Sequence, residues 1–311
     1  MGRTQSDMAL LHRNIVLGLL LTLAAMAWAL LAWQGTSAHM DMATASPAMG
    51  MRAPLFVTTW VTMMIAMMFP SAAPMILTFH KVQTSKRQRG EAFVATWVFV
   101  AAYMLVWTLS GVAAYVGVLG AEAFAARAPL SPTAVARIGG AVLVAAGLYQ
   151  LTPFKDLCLS KCRTPISFIM TSWRDGMGGA LRMGLLHGIY CFGCCWLLFV
   201  ILFPLGIMNL PVMVTITLVI FAEKTLPWVL LVTRATAAII VAYGAMVLAT
   251  PQILPTFLAG GDTSETAPAA PSDMRNMPMP GNVAAPPARK AAETFTHQLT
   301  DQTRATASGG K

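Results

Sequence analysis

The sequence predicts an all-α fold: a polytopic membrane helical bundle of about seven transmembrane helices, followed by a disordered C-terminal tail. Three observations predict it. The chain is 57% hydrophobic and only 11% charged, against about 25% charged residues in an ordinary soluble domain. Several apolar runs reach the roughly 20 residues that a helix needs to cross a bilayer. Lipid offers no partners to backbone N–H and C=O groups, so the spans must be helices that satisfy their own backbone. The division falls near residue 258, with a transmembrane domain at 1–258 and a tail at 259–311 too rich in Ala, Pro, Thr and Ser to bury a core.

Seven apolar segments stand out, at roughly 15–33, 55–79, 92–118, 135–153, 183–205, 209–231 and 235–255. The first follows Arg3 and Arg13, and its apolar stretch is longer than that of a secretory leader, so it is expected to stay as a helix. The second contains Pro70 and Pro74, which are expected to kink or unwind it near one end. After it come Lys81, Lys86, Arg87 and Arg89; Lys155, Lys161, Arg163, Arg174 and Arg182 follow the fourth, and Arg234 sits between the sixth and seventh. All these basic clusters fall on one side of a seven-span path, so that side is expected to be cytoplasmic. The expected setting is a bacterial inner membrane, with the N-terminus cytoplasmic and the tail periplasmic. The net charge of +9 then reflects membrane orientation, and nucleic acid is not expected as a partner.

Soft ligands mark the chemistry. In "HGIYCFGCCW", taking His187 as the origin, Cys191 lies at about 40° around a helix, Cys194 at about 340° and Cys195 at about 80°. The four share one face of about 100° but spread along about 12 Å. A subset could hold one ion, or the row could form successive stations. Neighbouring Cys194 and Cys195 do not face each other on an ideal helix and make a poor disulfide. Cys158 and Cys162, in "KDLCLSKCRTP", share a face if that stretch is helical, and the nearby Lys155, Lys161 and Arg163 are expected to favour thiolate.

Thioethers form the next group. Met63, Met64, Met67 and Met68 crowd the second span at one-turn spacings. The loop "AHMDMATASPAMGM" adds His39, Met40, Met42, Met49 and Met51, and the tail adds Met274, Met277 and Met279. Thioethers suit Cu(I), while zinc has little use for them. Finally, Glu223 and Lys224 fall inside the sixth span, where ionisable groups are costly and are functional candidates by default. Trp60, Trp97, Trp107, Trp173 and Trp196 read as packing or interface residues.

Together, Trp60-x-x-Met63 with Ala66-Met67-Met68-x-Pro70, Tyr149-Gln150 with Lys155-x-x-Cys158-Leu159-x-x-Cys162, Cys191-x-Gly193-Cys194-Cys195-Trp196, and Glu223-Lys224 carry a resemblance. Over about residues 56–250 the chain resembles a bacterial family of metal-binding integral membrane proteins of unknown function, copper-chaperone-like. The resemblance implies metal binding and carries the motif cysteines, the span-two methionines and Glu223-Lys224 over as candidate functional residues.

The reading is a membrane Cu(I)-binding protein, not an enzyme, that transports copper or delivers it to a cuproenzyme or a soluble copper carrier. Its metal candidates are Cys158, Cys162, His187, Cys191, Cys194, Cys195, Met63, Met64, Met67, Met68, His39, Met40 and Met42, with Glu223 and Lys224 as further functional candidates. The alternative is a membrane thiol–disulfide oxidoreductase passing electrons across the membrane. Five cysteines leave one unpaired in that scheme, and it gives the methionines no role.

Overall fold

The computed structural model describes residues 2–38, 52–128, 130–207 and 209–254. The tail and the loop carrying His39, Met40, Met42, Met49 and Met51 lie outside the described residues. Among the described residues the chain is helical, without strands: α1 (Gly2–Ala38), α2 (Ala53–Gln88), α3 (Thr96–Arg127), α4 (Pro132–Tyr149), α5 (Pro153–Arg163), α6 (Pro165–Ser172), α7 (Gly176–Val200), α8 (Leu202–Leu205), α9 (Leu210–Thr225) and α10 (Val229–Ala249).

The starts and stops follow local chemistry. Proline opens α4, α5 and α6, where its missing N–H is no loss and its φ is already helical. Ser131, Thr152 and Asn209 cap α4, α5 and α9 by accepting from Ala134 N, Lys155 N and Val212 N. Leu226, ahead of Pro227, is extended at ψ 144°, because proline pushes the preceding residue out of the helical region. That break ends the sixth expected span at Thr225 rather than 231. It also moves Arg234 from a turn into α10.

Among the described residues, six helical stretches are long and apolar enough to cross a membrane: Leu10–Gly35, Ala53–Gln88, Thr96–Arg127, Pro132–Tyr149, Gly176–Leu205 and Val229–Ala249. The expected seventh, α9, has 16 residues, about 24 Å of helix against a hydrocarbon core of about 30 Å.

Contrary to the expected unwinding, α2 runs as one helix through Pro70 and Pro74. Pro70 has no N–H for the carbonyl four residues back, that of Ala66. The Trp28 indole of α1 takes that carbonyl instead, Nε1 to O 3.1 Å. Small residues then set the helix spacing. A Cβ on Gly184 would stand 2.4 Å from the Phe99 carbonyl oxygen, and one on Gly188 would stand 2.8 Å from Val106 Cγ2. Only glycine lets α7 and α3 approach so closely. Gly140, Gly147 and Gly244 do the same between α4 and α10. Trp60 and Trp107 are buried packing residues, whereas Trp97 is 69% exposed.

α2 and α7 run antiparallel. Trp60 rings against Phe199 and Phe203 at 6.5 and 6.4 Å, and eight residues on, Met68 meets Cys191.

The stretch expected as a basic loop after the fourth span folds into α5 and α6, and α5 lies against α7. The Cys158 sulfur fills the place of a side chain at Gly193, 2.7 Å from where that Cβ would be. Tyr149 donates to the Gly193 carbonyl from the end of α4. Lys155 is not a solvated loop charge. Its ammonium is 0% exposed and donates to both oxygens of Glu223, which is 1% exposed, at 2.8 Å each. It also donates to Gln150 Oε1. This pair ties α5 to the end of α9. Arg163 adds a bond to the Leu226 carbonyl at 2.7 Å.

Removing one partner of a buried ion pair leaves a naked charge, whereas replacing both with apolar groups of similar size is often neutral. Lys155→Met is therefore expected to destabilise the detergent-solubilised protein by about 3–5 kcal/mol. Lys155→Met with Glu223→Met should recover most of that loss, measured by thermal unfolding.

Candidate metal centre

The expected arc on α7 is buried against its neighbours: Cys191, Cys194 and Cys195 all lie in the core. Four side chains from other helices reach the Cys191 sulfur or stand beside it. Tyr103 of α3 shares a hydrogen bond with it, Oη to Sγ 3.2 Å. Lys224 of α9 donates to it, Nζ to Sγ 3.1 Å, and also to Ser71 Oγ at 3.2 Å. Met68 of α2 brings its thioether sulfur to 4.0 Å. Cys162 of α5 lies within interaction range of both Cys191 and Cys194.

The helix geometry corrects one expectation. Cys194 and Cys195 turn their sulfurs toward each other, 3.2 Å apart, while the Cys194 thiol also donates to the Cys191 carbonyl at 3.1 Å. Both remain free thiols, as do Cys158, Cys162 and Cys191. The sequence put these side chains on one face but could not give their rotamers.

The sequence places Cys158 and Cys162 on one face of a helical stretch, with Lys155, Lys161 and Arg163 expected to favour thiolate. α5 is helical, yet the two thiols part company. Cys158 packs under Gly193, and burial pushes its thiol up from its ordinary value. The cation expected to lower it, Lys155, is taken by Glu223. Cys162, half-buried, is the member of the pair that joins the α7 thiols.

Met63, Met64, Met67 and Met68 are all buried in α2, but Met68 is the one whose sulfur meets Cys191. Glu223 and Lys224 sit in the last turn of α9 and are both buried. They face different ways, Glu223 toward Lys155 and Lys224 toward Cys191. His187 lies one turn from Cys191 in an aromatic enclosure: Tyr103 and Phe99 stack on its ring at 5.3 and 5.9 Å, and Phe168 meets it edge-on at 5.8 Å.

Three residues at the centre escaped sequence reasoning. Tyr103 and Ser71 are single polar residues in apolar helices, a weak signal that intramembrane hydroxyls need partners. Lys155 was read by its sequence neighbours as a loop charge. A proline just before it, at Pro153, was the clue that a helix begins there.

The donor set suits a soft monovalent ion. Thiolates and thioethers are preferred by Cu(I). With metal–sulfur bonds of about 2.3 Å, the Cys191 and Met68 sulfurs at 4.0 Å can both reach one ion. Among the described residues, no three His, Cys, Asp or Glu side chains are grouped closely enough to hold an ion by themselves. A site of three ligands here would therefore draw on the Met68 thioether.

Comparison with curated proteins and with solved structures finds no match. A family model described as copper chaperone matches residues 57–247, which run from α2 into α10 and include every residue of the thiol cluster. The chain belongs to the PpoB2 copper chaperone family.

Proposed function

We propose that this chain is an integral membrane Cu(I) carrier that binds the ion at the Cys191 thiol and delivers it to a cuproenzyme or a soluble copper carrier. The observation that carries this reading is the meeting of Cys191, Met68, Cys162 and Lys224 from four helices in one buried place. Cys191 and Met68 are the first ligands. Cys162, Cys194 and Cys195 are the thiols onto which the ion can pass, since two- and three-coordinate Cu(I) exchanges ligands one at a time. The thioether argues for Cu(I) over zinc.

The role is binding and hand-over without catalysis. Lys224 gives the Cys191 thiolate a counter-charge in an apolar surrounding, and Ser71 holds the ammonium in place. Capture on the far side falls to His39, Met40 and Met42, with Met63, Met64 and Met67 along α2 as relay residues. The membrane is the bacterial inner membrane. α9 makes a seventh crossing that keeps Lys86, Arg163 and Arg234 on the cytoplasmic side, with the N-terminus there and the tail in the periplasm.

Anaerobic titration of the detergent-solubilised protein with Cu(I) against a competing chelator tests the site. Cys191→Ser should weaken retention by at least about tenfold, and Met68→Leu, a near-isosteric loss of sulfur, by less. Wild-type affinity in Cys191→Ser overturns the reading. A reversible thiol couple without metal would support the oxidoreductase instead. Topology has its own check. A reporter active only in the periplasm should work when fused after residue 254 and fail when inserted between Leu226 and Trp228. The reverse pattern would remove α9 as a crossing.

A further inference from the structure

His187 is 2% exposed, and neither ring nitrogen has a hydrogen-bond partner among the described residues. A buried polar atom left unpaired is destabilising, and the imidazole has two of them. Packing alone does not call for this residue, because a phenyl ring would fill the same aromatic enclosure without the cost. A buried, unpaired imidazole is a ligand in want of a cation.

The helix register supplies its companions. On α7, Met183 precedes His187 by four residues and Cys191 follows it by four, so all three lie on one face at steps of about 6 Å. Met183 is 0% exposed. On antiparallel α2, Trp60 stands level with Phe199 and Phe203, and Met68 with Cys191. Continuing that register by two turns brings Met75, 1% exposed, to the level of Met183. Phe79, one turn further, stacks on Phe99 at 4.8 Å, and Phe99 stacks on His187 at 5.9 Å. Phe99 of α3 thus bridges a ring of α2 to the ring of His187.

We propose that His187, Met183 and Met75 form a second soft-cation station, one to two helical turns from the Cys191–Met68 site toward the Asp175 end of α7. Imidazole and thioether are both uncharged donors, so this station takes Cu(I) without needing a thiolate, and it binds more weakly than the thiol site. Tyr103 links the two levels, stacking on His187 while its hydroxyl meets Cys191. The chain then holds one ion per level, and an ion leaving Cys191 has a next ligand within one turn. This inference rests on the copper-binding reading of the Cys191 site.

The test uses the full-length protein in detergent under anaerobic conditions, titrated with Cu(I) against a competing chelator. Wild type should take up a second, weaker equivalent of Cu(I). His187→Phe, which keeps the ring packing, should lose that equivalent or bind it at least about tenfold more weakly, while the tight equivalent is unchanged. Met75→Leu with Met183→Leu conserves volume and should weaken the same equivalent, guarding against a folding artefact at His187. X-ray absorption should show imidazole scattering in the doubly loaded wild type and none in His187→Phe. A second equivalent that survives in His187→Phe with unchanged affinity overturns the proposal. Loss of the weak equivalent in His187→Phe while Cys191→Ser keeps its tight one would leave the station standing and overturn the Cys191 reading.

Discussion

An ammonium group taken out of water needs an anion or strong acceptors beside it, and two lysines of this chain impose that demand at the same level of the bundle. Lys155 meets it with both oxygens of Glu223; Lys224 meets it with the Cys191 sulfur and a serine hydroxyl. The cost of burying a charge in an apolar surrounding is several kcal/mol unless it is compensated. These two contacts therefore decide where α5 and the end of α9 can sit. With them in place, α5 lies over Gly193 and presents Cys162 to the α7 thiols. The place of the thiol cluster follows from how the positive charges are settled.

Glycine and proline do the rest of the positioning. Gly184 and Gly188 let α3 come close enough for the Tyr103 hydroxyl to reach Cys191. Pro70 frees the Ala66 carbonyl, and Trp28 of α1 accepts the task of pairing it. α1 is thus pinned to α2 two residues before Met68, the methionine whose sulfur faces the thiol. The sulfur site is made by helices held at set distances and depths, and little of it depends on loops.

Much of this was legible in the sequence, and what was missed has a physical cause. Apolar runs of bilayer length gave the helices, and 100° spacing put His187, Cys191, Cys194 and Cys195 on one buried face. The family resemblance read from the motifs agrees with the match over residues 57–247. Helix ends were less legible, because Pro227 stops α9 inside an apolar run that hydropathy alone treats as continuous. Lys155 was misread since its partner lies 68 residues away, beyond any local pattern. The contact of Met68 rather than Met63, Met64 or Met67 with Cys191 depends on the rotation of α2, which four buried methionines at helical spacing do not fix.

The last turn of α9 has a mechanical side. Successive residues on a helix point about 100° apart, so Glu223 and Lys224 grip partners in different directions from adjacent positions. A twist of α9 that swung the ammonium off the sulfur would drag the carboxylate away from Lys155 as well. The two bonds act as a torsional brake on that helix, leaving motion of the lysine's own flexible stem as the easier way to uncover the thiol.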